Sequence, residues 1–192
     1  MTEAEWLLSE DPAAILVQLW DSGRSTDRRF ALLVVGYGRL VTPVDERTLE
    51  GVTTIERFAE GLVTAEEFAV IHGRAWMRRA HEWLEDLLAM RADADARPAF
   101  DERMLKAVFD CVFGDPRRPL PHLAAAWLRW NDGTIPKIAQ GIYEERAFDR
   151  LPILHDALLD AGCDDEDLLA HCRGAGPHVR GCWVIDLILG KS

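Results

Sequence analysis

The chain has 192 residues, 48% of them hydrophobic, a size and composition typical of a folded protein with one core or two small packed subdomains. Acidic side chains number 33 against 22 basic ones, so the formal net charge is -11 at pH 7. Because Lys and Arg contacts with phosphates supply most of the affinity of nucleic-acid complexes, this balance argues against DNA or RNA as a main partner.

Neither end of the chain has the features of a targeting or membrane segment. Residues 1–10 contain acidic side chains and no basic one, unlike the start of a secretory signal. The apolar run 183–189 is interrupted by Asp186 and is too short to span a bilayer. The few cysteines do not indicate a disulfide scaffold. We therefore expect a cytoplasmic protein with reduced thiols and no membrane partner.

Apolar residues recur at helical spacing through the first half of the chain, and no alternating run is long enough to indicate a sheet. A stripe containing Phe30, Leu33 and Tyr37 predicts an amphipathic core helix. Thr64 and Glu67 have the spacing of a capping box, which predicts the start of the longest helix. The predicted helices of this half are 12–20, 27–40, 45–61 and 65–91.

A polar, small-residue stretch at 91–100 is the best candidate for an internal linker, and a helix is predicted after it at 101–113. Asn131, Asp132 and Gly133 tolerate left-handed backbone and are predicted to end a short helix. Thr134 can then cap a helix over 135–146 that has Pro136 in its first turn. Further along, a helix capped by Asp149 is predicted to end before Gly162.

These elements predict an all-α fold, a multi-helix bundle of about eight helices. We expect a single helical domain over 1–192, in which the linker at 91–100 separates two helical halves, 1–90 and 101–192.

The C-terminal region concentrates residue types that bind zinc. A helix over 165–172, a turn over 174–177 and a second helix over 178–189 would form a hairpin, with His178 and Cys182 on one helix face. The favoured interpretation is that these thiols fill space in a packed hairpin, so we expect no cofactor, and zinc is the alternative. The candidate ligands are Cys163, His171, Cys172, His178 and Cys182. Under the zinc alternative we expect a structural rather than a catalytic ion, because the chain has no His-Glu-x-x-His motif.

The turn inside this hairpin is also a candidate anion site. Two glycines flanked by arginines can present backbone N–H groups to a phosphate or carboxylate, and the residues concerned are Arg173, Gly174, Gly176 and Arg180. The alternative is a helix stop and a tight turn, with the arginines paired to the acidic run 164–167. That run has the position of a helix start rather than of a calcium loop.

Three stretches of the second half have distinctive sequences: Trp-Asn-Asp-Gly-Thr at 130–134, Ala-Phe-Asp-Arg-Leu-Pro-Ile-Leu at 147–154, and His-Cys-Arg at 171–173 with the segment 178–183. In these stretches the chain resembles a large paralogous family of uncharacterised planctomycete proteins. This resemblance implies the extent of the domain and carries over no functional residue.

No catalytic set can be assembled from the sequence, so an enzyme is the less favoured class. We expect a non-enzymatic helical module that recognises a protein partner, for which an acidic surface favours a basic one. The alternative is a zinc-binding protein that uses the C-terminal cysteines and histidines.

Overall fold

The structure is a computed structural model that describes residues 26–40, 46–72, 102–115 and 120–191. In these residues the chain forms eight α-helices and no strand, so the predicted all-α fold with about eight helices is confirmed. The predicted helix 12–20, the linker 91–100 and the continuation of the helix that starts at Ala65 beyond residue 72 lie outside the described residues.

The chain divides into two units, Met1–Phe109 and Asp110–Ser192, and the boundary lies within a helix. The helices before this boundary are α1 (Asp27–Leu40), α2 (Glu46–Ala59) and α3 (Ala65–His72), and α4 (Glu102–Phe113) crosses it. The second unit continues with α5 (Ala125–Glu145), a 3-10 turn (Phe148–Arg150), α6 (Leu151–Asp160), α7 (Glu166–Arg173) and α8 (Trp183–Leu189).

Helix α1 is the buried helix of the first unit. Its residues from Phe30 to Tyr37 are buried on every side, so the apolar surface is wider than the single stripe that the sequence predicts. Its polar ends pair with α2 and the residue after it: Arg39 Nη2 lies 2.8 Å from Glu56 Oε2 in α2, and Arg28 Nη2 lies 3.2 Å from Glu60 Oε1, which directly follows α2. These ion pairs fix α2 alongside α1 at both ends of the buried stretch.

The capping box at the start of α3 is confirmed. The Glu67 N–H donates to Thr64 Oγ1 at 3.2 Å, and the Thr64 N–H donates to Glu67 Oε2 at 2.9 Å. Each side chain thereby satisfies a backbone donor that the first helical turn leaves unpaired. The ring centroids of Phe68 and Phe58 lie 4.5 Å apart, and this contact packs α3 against α2.

A left-handed turn divides α5 into two helical pieces, as the sequence predicts. Asn131, Asp132 and Gly133 have φ values of 46°, 57° and 75°. The expected cap differs in detail, because Thr134 Oγ1 donates to the Asn131 carbonyl at 2.6 Å. Lys137 Nζ donates to the Asp132 carbonyl at 2.7 Å, so the turn is held from the helix that follows it.

The second unit is built around α5, which packs against α6 and α8, while α7 packs on α6. Its buried side chains include Ile135, Ile142, Leu151, Leu154, Leu158, Leu168, Val184, Ile185 and Ile188. The prediction that Asp149 caps α6 is wrong: Arg150 occupies the cap position without a side-chain bond, because Asp149 is already inside the 3-10 turn. Asp165 does cap α7, accepting from the Leu168 N–H at 2.9 Å.

In the part of the chain that the structure describes, no helix combines the length and the apolar character needed to cross a bilayer.

Candidate metal centre

The last turn of α4 brings a cysteine to the C-terminal region of the second unit. Cys111 is 1% exposed, and its Sγ accepts a hydrogen bond from the Val179 N–H at 3.4 Å. Next to it, Gly114 lies against the indole of Trp183: a Cβ at this glycine would be 3.3 Å from the indole nitrogen. The end of α4 therefore contacts both the segment before α8 and the first residue of α8.

The segment 174–182 between α7 and α8 is not helical, and α8 begins at Trp183. The predicted helix start at His178 is therefore wrong. The reason is a turn in which the Cys182 N–H donates to the Val179 carbonyl at 3.0 Å and Gly181 has a φ of 92°, a value that L residues rarely adopt. His178 and Cys182 are brought together by this turn and not by a shared helix face.

Four potential ligand atoms converge at this place. They belong to Cys111, His171, His178 and Cys182, and all lie within 4.8 Å of one another. His171 Nε2 lies 3.2 Å from Cys182 Sγ, and Cys111 Sγ lies 3.8 Å from His178 Nδ1. A tetrahedral zinc ion with ordinary bond lengths separates a sulfur from a nitrogen ligand by about 3.6 Å. The two measured separations lie on either side of that value.

The His178 ring is oriented by a backbone carbonyl. Its Nε2 donates to the Gly174 carbonyl oxygen at 3.1 Å, so its Nδ1 faces Cys111 without a proton when the ring is neutral. Protein zinc ligands commonly have such an outer hydrogen bond, which fixes the tautomer and the orientation of the ring. The His171 ring packs edge to face against the His178 ring, with 4.8 Å between the ring centroids. Its centroid lies 5.3 Å from that of the Trp183 ring.

Gly176 allows His178 to approach. Its φ is +77°, and a Cβ at this position would lie 2.8 Å from the backbone nitrogen of His178 and 3.0 Å from its ring Cδ2. Any side chain here would have to displace His178, because the first of these contacts is with backbone. Glycine at 176 is therefore a requirement of the site geometry as well as of the turn.

The two thiols of the cluster have opposite protonation tendencies. Burial opposes ionisation of Cys182, but hydrogen bonds from Cys111, His171 and His178 outweigh it and hold the pKa of Cys182 well below its ordinary value. The hydrogen bond to Cys182, together with burial, raises the pKa of Cys111. Burial alone would lower the pKa of His178, yet its bonds to Cys182 and the Gly174 carbonyl raise it. The cluster thus favours a thiolate at Cys182.

The four-residue group contains three of the five ligands that the sequence predicts, with Cys111 in place of Cys163 and Cys172. Neither Cys163 nor Cys172 belongs to the group whose ligand atoms lie within 4.8 Å of one another. Cys111 lies sixty residues before His171 and shares no ligand spacing with the C-terminal residues. Only its residue type could have drawn attention to it.

The candidate anion turn is organised around other contacts. Arg180 Nη2 donates to the Tyr143 carbonyl on α5 at 2.9 Å, and its guanidinium lies 4.7 Å from the centre of the Tyr143 ring. The Gly174 carbonyl accepts from His178, and Arg173 is exposed. Anion binding by this turn stays a prediction.

Comparison of the chain with protein-family models, curated proteins and solved structures found no match. The resemblance to the planctomycete family stays a prediction.

Proposed function

We propose that the chain is a zinc-binding protein in which Cys111, His171, His178 and Cys182 hold one structural Zn²⁺. The observation that carries this proposal is the convergence of two thiols and two imidazoles, from segments far apart in the chain, within 4.8 Å. Cys₂His₂ is one of the ligand sets found in structural zinc sites.

The residue types favour zinc over other ions. Two thiolates and two neutral imidazoles form a Cys₂His₂ set, which suits the tetrahedral preference of Zn²⁺, whereas magnesium and calcium require oxygen ligands. The charge also fits a buried position, since two thiolates neutralise one divalent cation. The pKa of Cys182, already held well below its ordinary value by its hydrogen bonds, supports ionisation of one thiol before the metal binds.

The burial of the ligands favours a structural role over a catalytic one. Cys182 and Cys111 are 0% and 1% exposed, so the sulfur side of the site is closed to a molecule the size of an ordinary substrate. Four protein ligands also fill the coordination sphere of a tetrahedral ion, whereas catalytic zinc keeps one position for water or substrate.

A metal at this position would join three elements of the second unit. Cys111 lies at the end of α4, His171 lies in α7, and Cys182 is the residue that directly precedes α8. Because the unfolded chain does not present these ligands together, the free energy of zinc binding would contribute directly to the stability of the second unit. The helical interaction module with a basic protein partner stays a prediction.

Metal analysis of protein purified without a histidine tag tests the proposal. We expect one zinc per chain and, after replacement by Co²⁺, the visible absorption of a tetrahedral cobalt site with thiolate-to-cobalt charge-transfer bands. Folded protein that contains no transition metal and takes up neither Zn²⁺ nor Co²⁺ at micromolar concentration would overturn it.

A further inference from the structure

We propose that the metal site is redox-sensitive: hydrogen peroxide converts Cys111 and Cys182 into a disulfide and thereby releases the zinc ion. This inference rests on the proposed function for the release step. Formation of the disulfide itself depends only on where the fold places the two sulfur atoms.

The two sulfurs are already neighbours. Their Sγ atoms lie within 4.8 Å of one another. A disulfide has a sulfur–sulfur distance of about 2.05 Å, so closing the pair requires a shift of at most about 2.8 Å. Cys182 follows the non-helical segment 174–181, and backbone adjustment there can supply this shift without unwinding α8.

The disulfide would link the same elements that the metal links. Cys111 lies at the end of α4, and Cys182 directly precedes α8, so the oxidised chain keeps these two elements together after the ion leaves. The bond would close a loop of about 70 residues. A loop of this length substantially lowers the conformational entropy of the unfolded chain and so stabilises the folded one. Oxidation would therefore change the metal content while the helical fold persists.

The chemistry is a two-electron oxidation of the thiolate pair. One thiolate attacks a peroxide oxygen, the O–O bond breaks, and a sulfenic acid forms with release of hydroxide. The second thiolate attacks that sulfur, the S–S bond forms, and the S–O bond breaks to release a second hydroxide. Two protons from solvent convert both hydroxides to water. The peroxide is reduced, the two thiolates are oxidised, and Zn²⁺, left with two imidazoles, dissociates.

The reaction should be selective for this pair and for a small oxidant. The sulfurs of Cys111 and Cys182 lie within 4.8 Å of one another, whereas Cys163 and Cys172 do not belong to that group of ligand atoms. The sulfurs of Cys111 and Cys182 are covered, whereas the His178 ring beside them is half-buried. A molecule the size of peroxide can pass such a cover far more readily than oxidised glutathione.

The test treats untagged, zinc-loaded protein with hydrogen peroxide, follows zinc release with a chromogenic chelator, and maps disulfides by mass spectrometry of peptides. We expect release of one zinc per chain, a peptide linked through Cys111 and Cys182, and recovery of bound zinc after reduction. Oxidised glutathione at the same concentration should act at least tenfold more slowly. The double variant Cys163→Ser with Cys172→Ser should behave like the unmodified chain.

Retention of zinc through complete consumption of the peroxide would overturn the inference. So would zinc release in which Cys111 and Cys182 end as separate sulfinic acids, or in which the new disulfide joins Cys163 to Cys172. A second arm uses protein stripped of metal with a chelator. Formation of the 111–182 disulfide there supports the pairing even if metal analysis removes the zinc proposal, and failure to form it refutes the pairing even if zinc binds.

Discussion

Replacing Gly176 with alanine is expected to weaken zinc binding through the position of His178. The new Cβ would lie 2.8 Å from the His178 nitrogen and 3.0 Å from its ring. Ordinary contacts of this kind begin near 3.4 Å. The histidine must therefore move by several tenths of an ångström, and such a movement disturbs both its Nδ1 and its bond to the Gly174 carbonyl.

Gly162→Ala is the matched control for this variant. Gly162 also has a positive φ, +81° against +77° for Gly176, but a Cβ there meets nothing within 4 Å. Both alanines incur the penalty of a positive φ, about 1–2 kcal/mol, and Gly176 in addition precedes Pro177, which restricts its backbone. A loss of zinc affinity that is confined to Gly176→Ala therefore indicates displacement of His178 rather than the positive φ alone.

In the presence of a chelator, urea unfolding should show a larger loss of stability for Gly176→Ala than for Gly162→Ala, because only the Cβ at 176 displaces His178 and disturbs its bond to the Gly174 carbonyl. Only Gly176→Ala should lose zinc affinity, by about 10–100-fold, the usual effect of disturbing the outer contacts of a metal ligand. Competition with a chromogenic chelator measures this ratio. Equal zinc affinities for the two alanine variants would refute the assigned role of His178.

Two further predictions concern other parts of the chain. Cys111→Ser should abolish stoichiometric zinc, whereas Cys163→Ser should retain it; the opposite result would restore the ligand set that the sequence predicts. In the first unit, Thr64→Ala should destabilise the fold by about 1 kcal/mol through loss of the cap, measured by chemical denaturation. The bonds from Thr64 lower the pKa of Glu67, so its ionised form stabilises the folded state at neutral pH, and this contribution is lost as pH falls through the folded-state pKa. The stability difference between the unmodified chain and Glu67→Gln should accordingly shrink in acid, and a difference that grows there would contradict the capping assignment.

Local signals in the sequence were sufficient for most of the fold. Helix α1 has the predicted bounds, the Thr64–Glu67 box forms, and the left-handed turn lies at Asn131 to Gly133. Each of these depends on residues within a few positions of one another, so propensity and capping chemistry determine them. The same reasoning failed at Asp149, where a 3-10 turn precedes the helix and removes the cap.

The candidate site was only partly predictable because its geometry is not local. His171, His178 and Cys182 lie within twelve residues of one another, and their types alone indicated a metal. Cys111 reaches them through the packing of α4 against the segment before α8, which no spacing rule encodes. The start of α8 was misplaced because helical periodicity continues through the sequence to His178, whereas Gly181 and the bond from Cys182 to Val179 turn the backbone.

X-ray absorption at the zinc K-edge of the untagged protein tests the central claim most directly. Two sulfur neighbours at about 2.3 Å and two nitrogen neighbours at about 2.0 Å are expected, with the imidazole scattering of two histidines. Loss of one sulfur neighbour in Cys111→Ser, wherever residual zinc remains, would agree with the proposed ligand set. A first shell of oxygen and nitrogen alone, or one whose sulfur count does not change in that variant, would contradict it.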